Sequence, residues 1–418
     1  MTNQKIAIAS EIGKLNTVII HKPGSEMENM TPSTAGEVLY DDILTLDLAL
    51  DEHRQLTGVL EKVADQTLEF SDLLTDVLAS EQVKLDLLQD VCALHGHNEL
   101  VDDLMVLSPE VLSRQFFEGT LLKKDTLERY LNSSSHAIPP LPNAFFTRDA
   151  VMCVNDKAII GSMAHRVRLT EALLLKAVFK HHEKLSGHGF HFDGTLTQSD
   201  EMTIEGGDLL VIRDDLMIIG YSERTSARAI DRIAQKLSAE KEKLDVVVVD
   251  LPKIRATIHL DMIFTMLDKD ACMVYPPLVT GAGKCQAYHL ECSFGKIKKI
   301  NEFSGIPKAL LHFGMEMRFV NCGGDSAFRQ EREQWTSGAN FFTFAPGHVI
   351  GYKHNKATME SLNQAGFEII NAVDIIEQDL KFEPAMKSAV MMEGSELSRG
   401  GGGCRCMTMP VHRDPVDW

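Results

Sequence analysis

The sequence predicts an α/β protein made of repeated strand–strand–helix–strand modules packed around an axis, interrupted by a helical-bundle insertion. Three observations carry this. "EGGDLLVIRDDLMIIGYSERTSARAIDRIAQKL", followed by "LDVVVVDLP", reads as two strands joined by a turn, then a helix and another strand. "GANFFTFAPGHVIGYKHNKATMESLNQAGFEIINA" repeats that order, with "LMIIGYSERTSARAI" lying over "GHVIGYKHNKATMESL". Between residues 71 and 132 the texture changes. Apolar residues there recur three and four apart with almost no β-branched runs, the pattern of short amphipathic helices.

Repeated modules of similar length suggest pseudo-symmetry rather than one doubly wound sheet, with polar residues at strand ends converging on the centre. "KLNTVIIHKPG" is a short buried strand stopped by Pro23 and Gly24, and the N-terminal stretch reads as a degenerate copy of the module. A helix is expected from about Leu44 to Val63 and a short strand around Thr67 to Phe70. "NSSSHAIPPLPN" is a linker, because its prolines forbid helix. The expected division is a catalytic α/β unit, residues 1–70 plus 137–418, carrying an inserted helical bundle at 71–136.

With 418 residues, the chain exceeds a typical domain two- or threefold, so one large core with an insertion, or two domains, is expected. It is 44% hydrophobic and 24% charged, ordinary for a globular protein. A formal net charge of −18 argues against general affinity for nucleic acid or anionic lipid, and mildly favours the approach of a cationic substrate. The eight cysteines show no paired or repeated spacing, which points to a reducing compartment. The first twenty residues lack the pattern of a signal peptide, and no apolar run reaches about 18 residues. A cytoplasmic protein is expected.

Four stretches could carry chemistry. "PNAFFTRD" (Pro142 to Asp149) reads as an extended run ending in Arg148 and Asp149, which alone would be a solvated ion pair. "EGGD" (Glu205 to Asp208) opens an apolar strand pair. Alone it is a turn with a solvent-facing Glu, although its glycines would let another segment approach Glu205 closely. "IHLDMIFTM" (Ile258 to Met266) reads as a strand buried on both faces, with His259 and Asp261 on the same side. Alone that pair is a satisfied core histidine, and no further His or Cys stands at ligand spacing, so no metal centre is expected. "GGGGCRC" is a flexible loop bearing Cys404 and Cys406, or a loose terminus; the patterned "MTMPV" after it argues for a docked tail. Together, a cysteine, a histidine and three carboxylates (Asp149, Glu205, Asp261) suit a cysteine nucleophile with an acid/base partner. The surplus of carboxylates suggests a cationic substrate, and a guanidinium's planar fork matches paired carboxylates.

"SEIGKLNTVIIHKPG", "PNAFFTRD", "EGGD", "GYSERTS", "IHLDMIFTMLDKD" and "GGGGCRCMTMP" occur in this order over essentially the whole chain. By them the sequence resembles the arginine deiminase family of guanidino-group-modifying enzymes. The resemblance implies a pseudo-fivefold α/β propeller with a helical-bundle insertion, hydrolysis of free L-arginine to L-citrulline and ammonia, and no metal or organic cofactor. It implies Cys406 as nucleophile and Cys404 as bystander. Asp149 and Asp261 match the clamp on the guanidinium, and Glu205 and His259 the proton-transfer pair. Asn143, Arg168 and Arg224 match positions that hold the substrate's carboxylate and amine end, and Phe146 an apolar wall.

Two departures concern that far end. Gly401 stands where some family members carry an arginine, which makes Arg405 or Arg399 the expected replacement; Arg166 competes with Arg168 in "MAHRVRLTEALL". The glycine loop is expected to act as a lid. L-arginine and further copies of this chain (a dimer or tetramer) are the expected partners. Related enzymes acting on agmatine or methylated arginine, an amidinotransferase, and a non-catalytic arginine-binding protein are the alternatives. The arginines at the carboxylate end argue against agmatine, the insertion against the short dimethylarginine enzymes, and the five catalytic positions against the binding protein.

Overall fold

The β-branched runs and amphipathic stretches become strands and helices in one recurring order. The computed structural model describes residues 6–197, 201–378, 382–383 and 385–418. Five sheets share a pattern: an antiparallel hairpin, whose second strand then pairs parallel with a strand arriving after a helix. Val151–Val154, Lys157–Ile160 and Phe190–Asp193 form one set. Leu209–Arg213, Leu216–Tyr221 and Leu244–Asp250 form the next, widened by the hairpin Ala287–Ser293 and Lys296–Phe303. Phe264–Asp268, Ala271–Val274 and Arg318–Asn321 follow. Phe342–Ala345, His348–Tyr352 and Lys387–Met392 come next, with Phe367–Asn371 on the outer edge. The fifth set joins the two ends of the chain: Met409–Arg413 runs antiparallel to Leu15–Ile20, which pairs parallel with Gln66–Glu69. The N-terminal module is therefore split, its first strand supplied by the C-terminal segment.

Local sequence accounts for these elements. Leu244–Asp250 is buried on both faces at Val246 and Val247, as a central parallel strand requires. The helix Ala227–Leu237 is capped by Ser226, whose hydroxyl accepts from the Ala229 N–H. It buries Ala229, Ile230, Ile233, Ala234 and Leu237, an apolar stripe at helical spacing.

Between Glu69 and Val151 the chain forms the helices Phe70–Leu78, Glu81–His95, Val101–Met105, Pro109–Glu118 and Leu127–Leu131. Leu74, Leu88, Val91 and Phe116 share one apolar cluster with Leu174, Leu175 and Val178 of the helix Leu169–His181. A polar joint reinforces this seam. His21, just past the strand Leu15–Ile20, stacks on Phe117 with centroids 4.2 Å apart and lies 2.8 Å from Glu69 and 3.5 Å from Glu26. Burial alone would discharge His21, but the two carboxylates raise its pKa to about 10.

Three expectations are corrected. Pro142–Asp149 is not extended: it turns, and Thr147–Ala150 is a short helix, because the Arg148 N–H bonds the Cys406 carbonyl rather than a strand partner. Ile258–Met266 is not one strand. His259 is extended, Leu260–Met262 is a 3-10 turn and the strand starts at Phe264; the Leu260 N–H is taken by the Asp208 side chain at 2.9 Å, which removes it from any ladder. The linker also carries a short strand, His136–Ile138, paired with Thr120–Leu121. Among the described residues no helix is long and apolar enough to cross a membrane.

Replacing His21 with Gln should leave Glu26 and Glu69 facing each other without a cation. Urea unfolding at pH 7 should show a loss of about 3 kcal/mol. The His21 pKa is raised in the folded state, so its contribution is full below about pH 6.5. It is lost as pH rises through 10. The deficit of the variant should therefore shrink at that end, and a deficit independent of pH would refute the charged joint.

Candidate active site

Each of the five sheets begins its first strand shortly after a buried polar residue. Asp149 precedes Val151, Glu205 precedes Leu209, His259 and Asp261 precede Phe264, Asn340 precedes Phe342, and Cys406 precedes Met409. The loops that carry them meet. The Cys406 sulfur lies 3.8 Å from Asp261 Oδ2, and His259 lies 2.9 Å from Glu205 through Nε2 and 3.8 Å from Asp149 through Nδ1. Close approach depends on two glycines. A Cβ on Gly207 would stand 2.4 Å from His259 Nδ1, and one on Gly206 would stand 2.0 Å from the Arg148 carbonyl oxygen. The close approach to Glu205 expected from "EGGD" therefore occurs.

The three carboxylates are buried, and each faces its own arginine. Arg168 Nη1 donates to Asp149 Oδ2 at 2.6 Å, and Arg405 Nη1 donates to Asp261 Oδ2 at 2.8 Å. Arg224 Nη1 lies 3.6 Å from Glu205 Oε2. Two oxygens lack a hydrogen bond among the described residues: Asp149 Oδ1, with His259 Nδ1 3.8 Å away, and Asp261 Oδ1 are both buried, a costly state that a closer cation would relieve. The arginines are anchored in turn. Arg168 pairs with Glu171 at 2.7 Å, and Arg405 grips Glu11 through Nε and Nη2 at 3.0 and 3.1 Å.

Burial, then the negative charges of Asp261 and Asp149, push the Cys406 thiol well above its ordinary value. Burial alone would lower the pKa of His259, but Asp149, Glu205 and Asp208 raise it to about 9. Burial works against ionised Glu205, yet Arg224 and His259 hold it well below the usual carboxylate range. At neutral pH the site therefore holds a thiol, an imidazolium and ionised Glu205. Asp149, Glu205 and His259 also offer ligand atoms within 4.8 Å of one another, a spacing that could hold a cation.

A cavity of about 30 Å³ lies over these groups, lined by Asp149, His259 and Cys406 with Asn143, Phe146, Arg168, Arg224, Arg255, Ile258, Leu39 and Gly400–Gly402. Glu205 and Asp261 lie behind this lining, against His259 and Cys406. Arg405, expected at the substrate's far end, does not line the cavity: Glu11, Asp261 and the carbonyls of Gly206 and Leu209 occupy its guanidinium. Arg399 pairs with Asp42 and Glu396, and Arg166 donates to the Leu94 carbonyl, so neither reaches the cavity. Cys404 is buried against Met392, its sulfur 3.5 Å from the thioether.

Residues 36–413 match the sequence profile of the arginine deiminase family. The chain belongs to this family. It is 32% identical to the arginine deiminase of Limosilactobacillus reuteri over 430 residues, covering 98% of each chain. It is 31% identical to that of Listeria monocytogenes serotype 4b over 433 residues, again covering 98% of each. Among solved structures it is similar to SxtG, an amidinotransferase from Microseira wollei, with a TM-score of 0.56 at 14% identity and 98% of each chain covered. It is also similar to the Pseudomonas aeruginosa DDAH complexed with citrulline, with a TM-score of 0.51 at 15% identity, covering 95% of this chain and 99% of that one. At these identities the structures attest the mixed α/β fold.

Sequence reasoning missed Asn340, Asp208, Glu11 and Arg255. Asn340 accepts from the Arg405 and Cys406 N–H groups and donates to the Asp261 carbonyl, so it seats the Cys406 loop. The repeat could have revealed it, since "GANFF" opens its strand pair as "EGGDLL" does. Asp208 accepts from the Leu260 N–H and the Ser222 hydroxyl, joining the His259 segment to the turn that carries Arg224. No local signal marks Arg255.

Gly207→Ala should fold, by circular dichroism, yet lose at least about a hundredfold in turnover, because a displaced His259 loses its alignment. Asp261→Asn should lower the pKa of Cys406 while abolishing turnover. Thiolate absorbance against pH measures this, and an unchanged or higher pKa would contradict the charge repulsion.

Proposed function

We propose that this site hydrolyses the guanidinium group of free L-arginine to L-citrulline and ammonia through a covalent Cys406 intermediate. One observation carries the reading: the two unpartnered carboxylate oxygens, Asp149 Oδ1 and Asp261 Oδ1, in the neighbourhood of a buried thiol. A guanidinium supplies the N–H fork that both lack. Its positive charge also cancels the repulsion that keeps Cys406 protonated, so substrate binding releases the thiol proton to solvent and creates the nucleophile.

The thiolate attacks the central guanidinium carbon. The His259 imidazolium gives its proton to the departing nitrogen, the C–N bond breaks and ammonia leaves, with an S-alkylthiouronium on Cys406. Neutral His259, backed by Glu205, then takes a proton from water as the oxygen adds to the carbon. The C–S bond breaks with its electron pair returning to sulfur, the added hydroxyl gives its proton to that thiolate, and citrulline is released. Asn143, Phe146, Arg168 and Arg224 serve the amino-acid end, Arg168 mainly by fixing Asp149.

We further infer that the five sheets form a pseudo-fivefold propeller closed by the pairing of the chain's two ends, with residues 71–136 as a helical insertion. The common strand order, and the site residue ahead of each first strand, support this. A homo-oligomer in the cytoplasm is part of the same reading. Supporting a lid, Gly400–Gly402 roof a cavity scarcely larger than a water molecule needs. A Cβ on Gly402 would meet Phe146 at 2.4 Å. Opening must therefore precede entry.

Citrulline formation from L-arginine, with agmatine in parallel, tests the reaction. Wild type and Cys404→Ser should turn over arginine, and Cys406→Ser should not; loss of activity in Cys404→Ser alone would refute the assignment. Gly401 and Gly402 replaced together by Ala should lower turnover, because the added Cβ atoms strain the roof against Phe146 and at a positive φ. Unchanged kinetics would refute the lid.

A further inference from the structure

The donors assigned to the amino-acid end are largely occupied. Asn143 Nδ2 donates to the Val38 carbonyl at 2.7 Å. Arg168 turns Nε and Nη2 toward Glu171 and Nη1 toward Asp149, all buried. Among the described residues the Arg224 guanidinium makes no hydrogen bond: Nη1 lies 3.6 Å from Glu205 Oε2, and the buried Nε lies 3.9 Å from Glu223 Oε1. Of the three, only Arg224 therefore has donors to spare, and a second cation beside it would strengthen the grip on a carboxylate.

One further cation faces the cavity. Arg255 lines both the inner cavity and an outer chamber of about 270 Å³, which also contains Asp41, Arg399 and Gly401. It stands where the two meet. Its Nε donates to Asp41 at 3.0 Å and its Nη2 to the Leu39 carbonyl at 2.8 Å. Arg255 is partly exposed and Asp41 more so. Solvent-exposed pairs are weak and exchange readily, whereas the buried pairs of Arg168 are costly to break. Gly401 leaves the space beside it open: a Cβ there would lie 3.4 Å from Arg255 Nη2.

We propose that Arg255 determines specificity for an amino-acid substrate, exchanging Asp41 and the Leu39 carbonyl for the substrate's α-carboxylate as the roof closes. The inference rests on the reading of L-arginine as substrate. The guanidinium groups of Arg224 and Arg255 then hold the carboxylate between them, and the outer chamber is sealed by the same side chain that reads the substrate. No arginine inside the glycine run is needed for this.

Steady-state kinetics on the full chain test it, with agmatine, which lacks the carboxylate, as a competing ligand. Arg255→Ala should raise KM for L-arginine at least about tenfold, the worth of one charge-assisted hydrogen bond, with kcat little changed. The inhibition constant of agmatine should stay the same, and Arg255→Lys should recover part of the KM. Asp41→Asn, which weakens the competing partner, should leave KM equal or lower. Equal weakening toward arginine and agmatine, or a KM raised by Asp41→Asn, would overturn the proposal and leave Arg255 as a structural clasp. Failure of the wild type to form citrulline would instead refute the reaction itself, which the same experiment measures separately.

Discussion

Three carboxyl groups are buried in one small volume, and nearly everything around them answers that constraint. Taking such a group out of water costs several kcal/mol unless opposite charge and hydrogen bonds replace the water. Here each carboxylate has a dedicated arginine: Arg168 for Asp149, Arg224 for Glu205 and Arg405 for Asp261. The arginines need partners of their own, and Glu171 and Glu11 provide them. Glu11 holds Arg405 strongly enough that its pKa falls to about 2 despite burial, through Arg405 first and then Arg148. The pairing is deliberately incomplete in one respect, since the two oxygens nearest the reaction remain open.

The topology concentrates these charges. A loop entering the first strand of a sheet delivers one or two polar side chains, and five sheets each contribute such a loop. Such loops are held at one end by a rigid ladder, so their side chains are placed more firmly than on a free surface loop. Glycine does the rest where backbones or rings must touch, at Gly206 against Arg148 and at Gly207 against His259. The glycine run near the C-terminus is likewise packed: Gly402 sits against Phe146 and Gly403 against Asn340. Only Gly401 takes a positive φ there, at 86°, a conformation that side-chain-bearing residues resist.

The resting electrostatics couple recognition to reaction. The carboxylates that attract a guanidinium are the ones that hold Cys406 as a thiol and His259 as an acid. On the proposed mechanism a reactive thiolate forms only when the cation is in place, which protects a buried sulfur from stray chemistry. Cys404, two residues away, has no such switch; burial alone keeps its thiol protonated.

Much of this was legible in the sequence. Hydrophobic periodicity determined the repeated modules and the helical stretch, because local patterns of two and 3.6 residues reflect local burial. Short motifs in family order singled out a cysteine, a histidine and three carboxylates that folding brings together, although each motif alone reads as an ion pair, a turn, a core histidine or a loose terminus. Tertiary structure decided the rest. "TRD" and "HLD" look extended in sequence, but their N–H groups bond a carbonyl and a side chain from distant segments, and so they turn. Arg405 looks like a substrate ligand beside the nucleophile, yet Glu11, almost four hundred residues earlier, draws it beneath the site. Arg255 looks like any surface cation until folding places it at the mouth. Charge partners are chosen by proximity in space, and a sequence records only proximity along the chain.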